Sequence, residues 1–400
     1  MALTDFKPQF DEAYQEIFQK VLVSKEIANM RFKSKLSYGE SVERVAYDIS
    51  AIRVRAVSRG SASTIDSLTD SSELLTVNQE YEASFHVSDG EVKQAGPLNP
   101  GEVIGGKIAH LVAQHLDATF FAEVLNADND FDTGDLTTLV SSGVPFSEST
   151  TNVPIMVSRM PAKLRRNNQT LNNLCFVTDS YGASSLVQYL LGKDIDLAGS
   201  VFKNGYAGTV ASAEVYVSEN LTGTAVLGLA TQPTDGDTIV INGVTFTFKT
   251  TLGATAGNVL IGADADAARL NLTTLINAPG TTTAQGVALS AADQLKLTDT
   301  YRIAAVNDAT ANTMTITGTG SGALTLSETL TDATDAWSKN CIHAYFGKKG
   351  AIDMVVQDMS EVDMRPTADR RGTNVFSSYL AGIKTFADGS KQFLNVLLAR

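Results

Sequence analysis

The residues whose spacing suits a phosphate-binding loop lie near the end of the first quarter of the chain. Gly101-x-x-x-x-Gly106-Lys107 has the glycine and lysine spacing of such a loop. Ile108, however, stands where a Ser or Thr hydroxyl would ligate magnesium, no strand precedes the motif, and both glycines fall inside a helical pattern. We therefore do not predict nucleotide binding from this motif.

A second segment has the alternating acidic residues of a calcium loop. Asp128, Asp130 and Asp132 are followed by Gly134. The glycine falls one position late for such a loop, and Leu139 stands where the bidentate Glu should be. We predict a solvated acidic turn here and no metal site.

The histidines and cysteines do not form a catalytic pattern either. His110 and His115 are five residues apart, so they do not share a helix face as an i, i+4 zinc pair does, and His115 lies on an apolar stripe. Cys175 and Cys341 lie in apolar strand contexts that favour buried thiols. No G-x-S-x-G nucleophile motif occurs. The sequence predicts no catalytic residue, no cofactor and no metal ligand, and a protein that is not an enzyme.

The composition agrees with this interpretation. The chain has 400 residues, of which 19% are charged, and its formal net charge is -13. An acidic balance disfavours a dedicated nucleic-acid binder, because neutralising phosphates needs a basic surface. Two cysteines and four histidines exclude a disulfide scaffold and disfavour zinc. No apolar run approaches the ~18 residues of a membrane span, and no targeting signal is found, which predicts cytoplasmic synthesis.

The elements that would position any functional surface begin with a helix after Pro8. Its apolar residues recur at spacings of three and four, which predicts an amphipathic helix. It could dock on its own domain or act as an arm on a neighbouring subunit. The apolar positions are Phe10, Tyr14, Ile17, Phe18, Val21 and Leu22.

Two alternating segments follow, Val42–Val57 and Leu75–Val87. Alternation of apolar and polar residues is typical of half-buried strands, and the intervening Ser58–Ser72 is rich in Ser, Thr, Asp and Gly. We predict a long β-hairpin with a polar tip. Because an isolated hairpin is marginal in water, it must lie on its own domain or on an adjacent copy.

A long helix is predicted next. Asn99 is a suitable N-cap, Pro100 suits the first helical position, and an apolar stripe continues to about Asn126. At 1.5 Å per residue this helix is roughly 40 Å long, which favours a spine over an ordinary packing helix.

The middle of the chain predicts an α+β arrangement. Pro154–Arg166 is a predicted helix, Leu174–Thr178 a buried strand, and Asp179 the cap of a helix that continues to Leu191. Val210–Ser218 is a further predicted strand. Alternating strands and helices with short connections favour a compact α+β domain.

The composition changes over Leu221–Asp335, where Thr, Ala and Gly dominate. The Asn242-Gly243 pair lies between two alternating runs, which is a strong hairpin signal, and Ala265–Ile276 predicts a helix. We predict a self-contained β-rich inserted domain, either a solubilising decoration or a stabilising or binding module. Beyond it, strands are predicted at Ile342–Phe346, Glu361–Arg365, Val375–Lys384 and Gln392–Ala399.

The order of elements resembles the major capsid proteins of tailed bacteriophages, which have the Hong-Kong-97-type fold. The local similarity is carried by Phe176–Gly182, Met359–Val362, Asp369–Thr373 and Tyr379–Lys384. The likeness covers residues 1–220 and 336–400 as an element order, and capsid proteins with an inserted domain are known in this family.

The resemblance implies an α+β capsid fold with an N-terminal arm, an extended β-hairpin loop, a long spine helix, peripheral and axial domains, and an inserted mostly-β domain. The implied segments are 1–35 (arm), 36–95 (extended loop), 96–220 (spine helix and first part of the core), 221–335 (insert) and 336–400 (second part of the core). Some family members crosslink a Lys of the extended loop to a neighbour. We expect no such crosslink, because residues 36–92 contain no Lys.

The implied function is self-assembly into the icosahedral shell that encloses a phage double-stranded DNA genome, with synthesis in the host cytoplasm and residence in the virion. The expected partners are copies of the same chain in hexameric and pentameric capsomers, a separate scaffolding protein and a portal, with a decoration protein left open. The alternatives are a tail tube, sheath or fibre protein, an encapsulin-like cargo shell, and an enzyme with a β-rich accessory domain.

Basic residues near the hairpin tip and in the C-terminal strands are the candidates for contacts between subunits, the alternative being a solvated surface. As exposed ion pairs each would contribute at most ~1 kcal/mol. These residues are Arg53, Arg55, Arg59, Arg365, Arg370, Arg371 and Lys384.

Overall fold

The computed structural model of the chain has two compact units. It describes residues 22–32, 40–48, 52–56, 59–60, 65–67, 69–88, 100–191, 206–210, 213–359, 363–366 and 371–400. The first unit contains the described parts of Ile27–Val112 and Gly350–Gln392. The second contains those of Gln19–Glu26, Ala113–Lys349 and Phe393–Arg400. The predicted helix after Pro8 lies almost wholly outside the described residues.

The described elements are a mixture of helices and strands. The helices are α1 (Ser24–Ile27), α2 (Pro100–Ala122, followed by a 3-10 turn at Glu123–Asn126), α3 (Asn152–Arg166), α4 (Ser180–Leu191), α5 (Ala265–Asn277) and α6 (Ala291–Leu295, followed by a π-helical turn at Lys296–Thr300). The strands are β1 (Ser41–Asp48), β2 (Thr69–Thr76), β3 (Gln79–Val87), β4 (Asp130–Phe131), β5 (Leu174–Thr178), β6 (Tyr206–Val210), β7 (Ala213–Val217), β8 (Thr222–Gly228), β9 (Thr238–Ile241), β10 (Val244–Lys249), β11 (Asn258–Leu260), β12 (Ile303–Asp308), β13 (Thr313–Gly318), β14 (Leu326–Thr329), β15 (Trp337–Lys348), β16 (Asp353–Met359), β17 (Asp363–Pro366), β18 (Thr373–Lys384) and β19 (Phe393–Ala399).

In the first unit the predicted hairpin exists, but with a different second strand. β1 pairs antiparallel with β2, so that Val42 lies opposite Leu75 and Asp48 opposite Thr69. The alternating segment Leu75–Val87 is divided: its first residues end β2, and the rest is β3, which pairs with β18. The sequence pattern missed β2 because its first half is polar, and backbone pairing of an exposed hairpin needs no apolar alternation.

Among the described residues, β3, β16, β17 and β18 form the other sheet of the first unit, with β18 in the middle. The prediction did not include β16. A buried apolar cluster in this unit contains Phe32, Leu75, Val77, Val355 and Phe386. Gly382 lies so close to the hairpin that a Cβ there would be 2.6 Å from the Thr76 carbonyl oxygen, which explains a glycine within this strand.

The described strands of the second unit form two sheets. The larger follows the order β12-β13-β8-β15-β5-β7-β6, and β19 pairs with both β15 and β4. β5 matches its predicted range, and Asp179 caps α4 by accepting a hydrogen bond from the Gly182 N–H at 2.9 Å. The strand predicted at Val210–Ser218 contains β7, which pairs antiparallel with β6.

The segment 221–335 has its own apolar core but is not separate from the remaining sheet. The Asn242-Gly243 turn joins β9 to β10 with positive φ angles of 48° and 77°, as a two-residue hairpin turn requires. A buried cluster includes Leu227, Phe246 and Leu272. However, β8 pairs with β13 on one side and with β15 on the other, so the hydrogen-bonded sheet continues into the surrounding chain.

Candidate assembly surfaces

The outer part of the β1–β2 hairpin exposes apolar and basic side chains to solvent. Ile52 is 51% exposed, Val54 105% and Ile65 91%. Asp66 joins the two sides of this region: it accepts hydrogen bonds from the Arg53 N–H at 2.9 Å and from both terminal nitrogens of Arg55 at 2.9 and 2.7 Å. The Arg55 guanidinium and the Arg53 amide lower the pKa of Asp66 from its ordinary value. In the described part of the arm, Asp66 therefore connects the two sides through charge-assisted hydrogen bonds.

The root of the hairpin is held by polar contacts to residues 384–388. Arg44 pairs with Asp388, and its guanidinium stacks over the Phe386 ring at 5.0 Å from the ring centre. The Ala387 N–H donates to Glu73 at 3.1 Å, and Lys384 Nζ donates to the Leu74 carbonyl oxygen at 2.8 Å. These contacts fix the position of the β1–β2 hairpin against the end of β18 and the residues that follow it.

The predicted contact residues fall into three groups. Arg53, Arg55 and Arg59 are exposed on the hairpin arm. Arg365 and Arg371 are exposed beside β18, and the Arg365 guanidinium lies 5.6 Å from the centre of the Phe376 ring. Lys384 is half-buried and bonded to the hairpin root within its own chain. Arg370 lies outside the described residues.

Sequence reasoning missed Asp66 and Arg44, which organise this surface. Asp66 is the acidic residue closest to Arg55 across the predicted tip, so the opposite charges were a usable signal. Arg44 contacts Asp388, 344 positions away, and no local pattern could reveal that pair.

The acidic loop at residues 128–135 is not a solvated turn, contrary to the prediction, since Asp132 and Asp135 are both fully buried. Asp132 accepts hydrogen bonds from the Gly134, Ser142 and Gly143 N–H groups. Asp135 pairs with Lys163 Nζ at 2.6 Å.

The Lys163 ammonium also donates to the Ser141 hydroxyl at 2.8 Å and to the Asp130 carbonyl oxygen. A lysine from α3 thus provides the positive charge that a metal ion would provide in a calcium loop.

A Cys–His–Asn arrangement lies inside the larger sheet. His343 Nδ1 is 2.8 Å from Asn395 Oδ1, and its Nε2 is 2.8 Å from Thr224 Oγ1 and 4.0 Å from Cys341 Sγ. Burial raises the pKa of the Cys341 thiol to about 11 and lowers the pKa of His343. The cluster joins strands β8, β15 and β19. Because the Cys341 thiol stays protonated and is 3% exposed, it is not an accessible nucleophile.

The remaining residues considered in the sequence analysis are Cys175, the residues with phosphate-loop spacing, and the two histidines of α2. Burial raises the pKa of Cys175 to about 12. The glycines and lysine of the phosphate-loop spacing lie within α2, as the sequence indicated. His110 is exposed, whereas His115 is partly buried, and burial together with the Arg302 charge lowers the pKa of His115 to about 4.

A cavity of about 400 Å³ lies between the start of α3 and one side of α4. Glu148 lies at its edge, where the Arg400 guanidinium binds both Glu148 and Asp179 at 2.6 Å and stacks over the Tyr181 ring. Burial raises the pKa of Glu148, while Arg400 opposes that effect. The network ties Arg400 to the residues that precede α3 and α4.

Within the part of the chain that the structure describes, no group of three or more His, Cys, Asp or Glu residues could hold a metal ion. Of the helices in that same part, none combines the length and apolar character needed to cross a lipid bilayer.

The fold has counterparts among solved structures. A capsid structure of the cyanophage P-SCSP1u matches with a TM-score of 0.50 and 10% identity, over 95% of this chain and 88% of that chain. A structure of Mycobacterium phage Che8 matches with a TM-score of 0.44 and 12% identity, over 94% and 90% of the two chains. The asymmetric unit of the bacteriophage PhiM1 mature capsid matches with a TM-score of 0.44 and 12% identity, over 90% and 82%.

Neither a known family description nor a curated protein matches the sequence. The cyanophage likeness, which spans nearly the whole of both chains, shows that this mixed α+β chain has the tailed-phage capsid fold.

Proposed function

We propose that this chain is the major capsid protein of a tailed bacteriophage, which self-assembles into the icosahedral shell around the double-stranded DNA genome. The observation that carries the proposal is the fold similarity to the cyanophage capsid over 95% of the chain. The chemistry of the described residues supports a structural role, because the clusters around Lys163, Arg400 and His343 are largely buried and are joined by contacts within the chain.

In this proposal the N-terminal arm (1–35) and the extended loop (36–95) reach neighbouring subunits. Helix α2 is the spine. The strands of Met359–Lys384 belong to the peripheral domain, and residues 180–217 with 337–355 belong largely to the axial domain. The core comprises 96–220 and 336–400, and 221–335 is the inserted β-rich domain on the outer surface.

The exposed arm supports this role energetically. Apolar side chains such as Val54 gain about 25 cal/mol for each Å² removed from water, and none of that gain is realised while they are exposed. A shell repeats each contact many times, so that individually weak interfaces add to a stable assembly. The net charge of -13 suits a wall around DNA, because a strongly basic wall would bind the genome tightly.

The proposed partners are further copies of this chain, arranged as hexameric and pentameric capsomers. A separate scaffolding protein and a portal complete the proposed set, and a decoration protein is left open. We place the protein in the virion after synthesis in the host cytoplasm. No Lys–Asn crosslink from the extended loop is expected, because residues 36–92 contain no Lys.

Expression of the chain, alone and together with the other head genes of its phage, followed by negative-stain microscopy tests the function. Closed polyhedral shells containing nuclease-protected DNA are expected from the complete set of head genes. Tubes or sheaths would instead support a tail protein. Closed shells filled with one host protein and no DNA would support an encapsulin-like compartment. Monomers under every condition would overturn the shell function.

A further inference from the structure

One stretch of the second unit carries only positive charge. Residues 149–178 contain four basic residues and no Asp or Glu, in a chain whose formal net charge is -13. The basic residues are Arg159, Lys163, Arg165 and Arg166. All four lie on α3, but Lys163 is buried and paired with Asp135. The three arginines therefore give the surface of α3 its positive charge.

Two of these guanidinium groups are positioned by backbone carbonyl groups. Arg159 donates to the Asp135 carbonyl oxygen and Arg166 to the Leu139 carbonyl oxygen, both at 3.1 Å. Arg165 is exposed. Within the described residues, none of the three arginines pairs with a carboxylate. A carbonyl oxygen orients a guanidinium group without cancelling its charge, so all three positive charges remain.

Lys348 adds a fourth positive charge at the C-terminal end of α3. The Gln169 N–H donates to the Leu164 carbonyl oxygen at 3.1 Å, which holds Gln169 against the last turn of the helix. Lys348 Nζ donates to Gln169 Oε1 at 3.2 Å, an uncharged acceptor. The neighbouring Lys349 pairs with Glu214 and adds no net charge. The four groups that keep their charge are called the α3 basic surface: Arg159, Arg165, Arg166 and Lys348.

The side chains around this surface are polar. None of the exposed side chains between residues 158 and 173 is large and apolar, and they include Asn168, Thr170 and Asn172. Protein interfaces depend on a few well-packed anchors with an apolar core, whereas phosphate groups are bound by Arg and Lys together with Ser, Thr and Asn. The surface therefore fits a phosphate backbone better than an acidic protein.

We propose that the α3 basic surface contacts the phosphate backbone of double-stranded DNA without reading its sequence. This inference rests on the proposed shell function, because the packaged genome is the duplex that such a subunit meets, and it places the surface on the inside of the shell. Planar guanidinium groups bind phosphate oxygens through two N–H groups at once. Arg159 and Arg166 are seven residues apart, about 10 Å along the helix axis, so they contact the duplex at separate points.

The acidic remainder of the chain limits the strength of this contact. With a formal net charge of -13, the subunit attracts phosphate only locally and repels it elsewhere. Each contact is therefore weak and reversible, which is compatible with an acidic wall that does not bind the genome tightly.

Fluorescence anisotropy with the purified, unassembled subunit and a labelled duplex of about 30 base pairs measures the contact. Each phosphate contact should add about -0.9 to the slope of the logarithm of the binding constant against the logarithm of the salt concentration. Arg165→Gln/Arg166→Gln should therefore make the slope shallower by about two and weaken binding to any sequence.

Two matched variants separate charge from damage to the fold. Lys339→Gln/Lys391→Gln removes two positive charges from exposed positions elsewhere and should leave the slope unchanged. Arg165→Lys/Arg166→Lys keeps both charges and should keep the slope. Equal slopes for the unmodified chain and Arg165→Gln/Arg166→Gln would overturn the DNA contact and leave the shell function standing. Tighter binding of a labelled poly-glutamate with the same number of charges would assign the surface to an acidic protein instead.

Labelling of Thr170→Cys tests which side of the shell the surface faces. A maleimide on a polymer too large to enter the shell should label this cysteine in unassembled subunits and in shells opened with urea, but not in closed shells. Cys175 and Cys341 are 0% and 3% exposed, so the native thiols should not react in folded subunits. Equal labelling of closed shells and subunits would place the surface outside and overturn the contact with the genome. Failure of the unmodified chain to form any shell would overturn the proposed function, and the anisotropy measurement separates that result from failure of the DNA contact.

Discussion

The hairpin arm and the segment 221–335, the predicted insert, use their apolar residues in opposite ways. In the arm, Val54 and Ile65 are almost completely exposed, and the contact of Arg55 with Asp66 lies at the surface. In the insert, Phe246 and Leu272 are fully buried in a continuous cluster. The insert is stabilised by its own interior, whereas the contacts seen in the described part of the arm are those at its root and at Asp66.

Because of this difference, we expect substitutions in the two regions to affect different properties, namely the stability of the subunit and its assembly with other copies. A substitution in the insert should change the free energy of unfolding of the isolated subunit, because it alters packing that already exists. A substitution on the arm should leave that free energy nearly unchanged and act on contacts between copies. The following predictions test this separation.

The largest effect is expected for Phe246→Ala. Phe246 is 0% exposed on β10, and removing a buried aromatic side chain costs about 3–5 kcal/mol. Urea unfolding of the isolated subunit measures the change. Thr245→Ala, at an exposed position of the same strand, is the control and should cost less than about 0.5 kcal/mol. Similar losses for both variants would show that the insert is not packed as described.

A smaller loss of unfolding free energy is expected for Arg269→Met. The Arg269 side chain is completely buried and donates to the Leu229 carbonyl oxygen, to Asn307 at 3.1 Å and to Asp266 at 3.0 Å. Leaving a buried carbonyl without its charged donor should cost about 2–3 kcal/mol in urea unfolding.

Lys296→Met is the matched control for Arg269→Met. Lys296 also pairs with an aspartate three residues earlier, but its side chain is 43% exposed. The Lys296→Met variant should lose no more than about 0.5 kcal/mol of unfolding free energy. Equal costs for the two variants would mean that burial does not set the strength of these pairs.

Asn277→Ala should have a still smaller effect on stability. The Asn277 amide accepts from the Ala305 N–H and donates to the Ala305 carbonyl oxygen, both at 2.8 Å. It thereby covers β12, which is the edge of the larger sheet among the described strands. Its removal should cost about 1 kcal/mol and increase self-association, because an uncovered edge can pair with another chain. Light scattering and urea unfolding measure the two effects. Thr274→Ala, an exposed position on the same helix, should leave association unchanged.

The smallest effect on stability is expected for Asp66→Asn on the arm. No measurable change in urea unfolding is predicted, but hydrogen exchange at the Arg53 amide should become faster, because that N–H donates to Asp66.

The same exchange measurement has a predicted pH dependence. Arg55 and Arg53 lower the pKa of Asp66, so the contact is present at neutral pH and is lost as the pH falls through that lowered value. Protection of the Arg53 amide should therefore decrease on acidification in the unmodified chain and stay constant in Asp66→Asn. A clear loss of unfolding free energy would show that the arm is part of the folded interior.

Local signals predicted the elements whose cause is local. Pro100 and the apolar stripe after it predicted the long helix, Asp179 predicted the start of α4, and Asn242-Gly243 predicted its hairpin. The pattern failed at β2, whose Thr69–Ser72 half is polar, and at the acidic loop. There, Asp135 is buried because Lys163 neutralises it from a helix 28 residues later in the chain.

The sequence by itself determined the acidic composition, most helix and strand positions, and an element order that resembles a capsid subunit. Capping residues, turn residues and apolar periodicity act over a few residues, so they can be read without coordinates. Only the tertiary structure decided that β3 leaves the hairpin to pair with β18, that segment 221–335 shares a sheet with the rest of the chain through β8, and that Arg44 and Lys163 pair with distant carboxylates. These features depend on which distant residues meet, and that is a property of the packed chain.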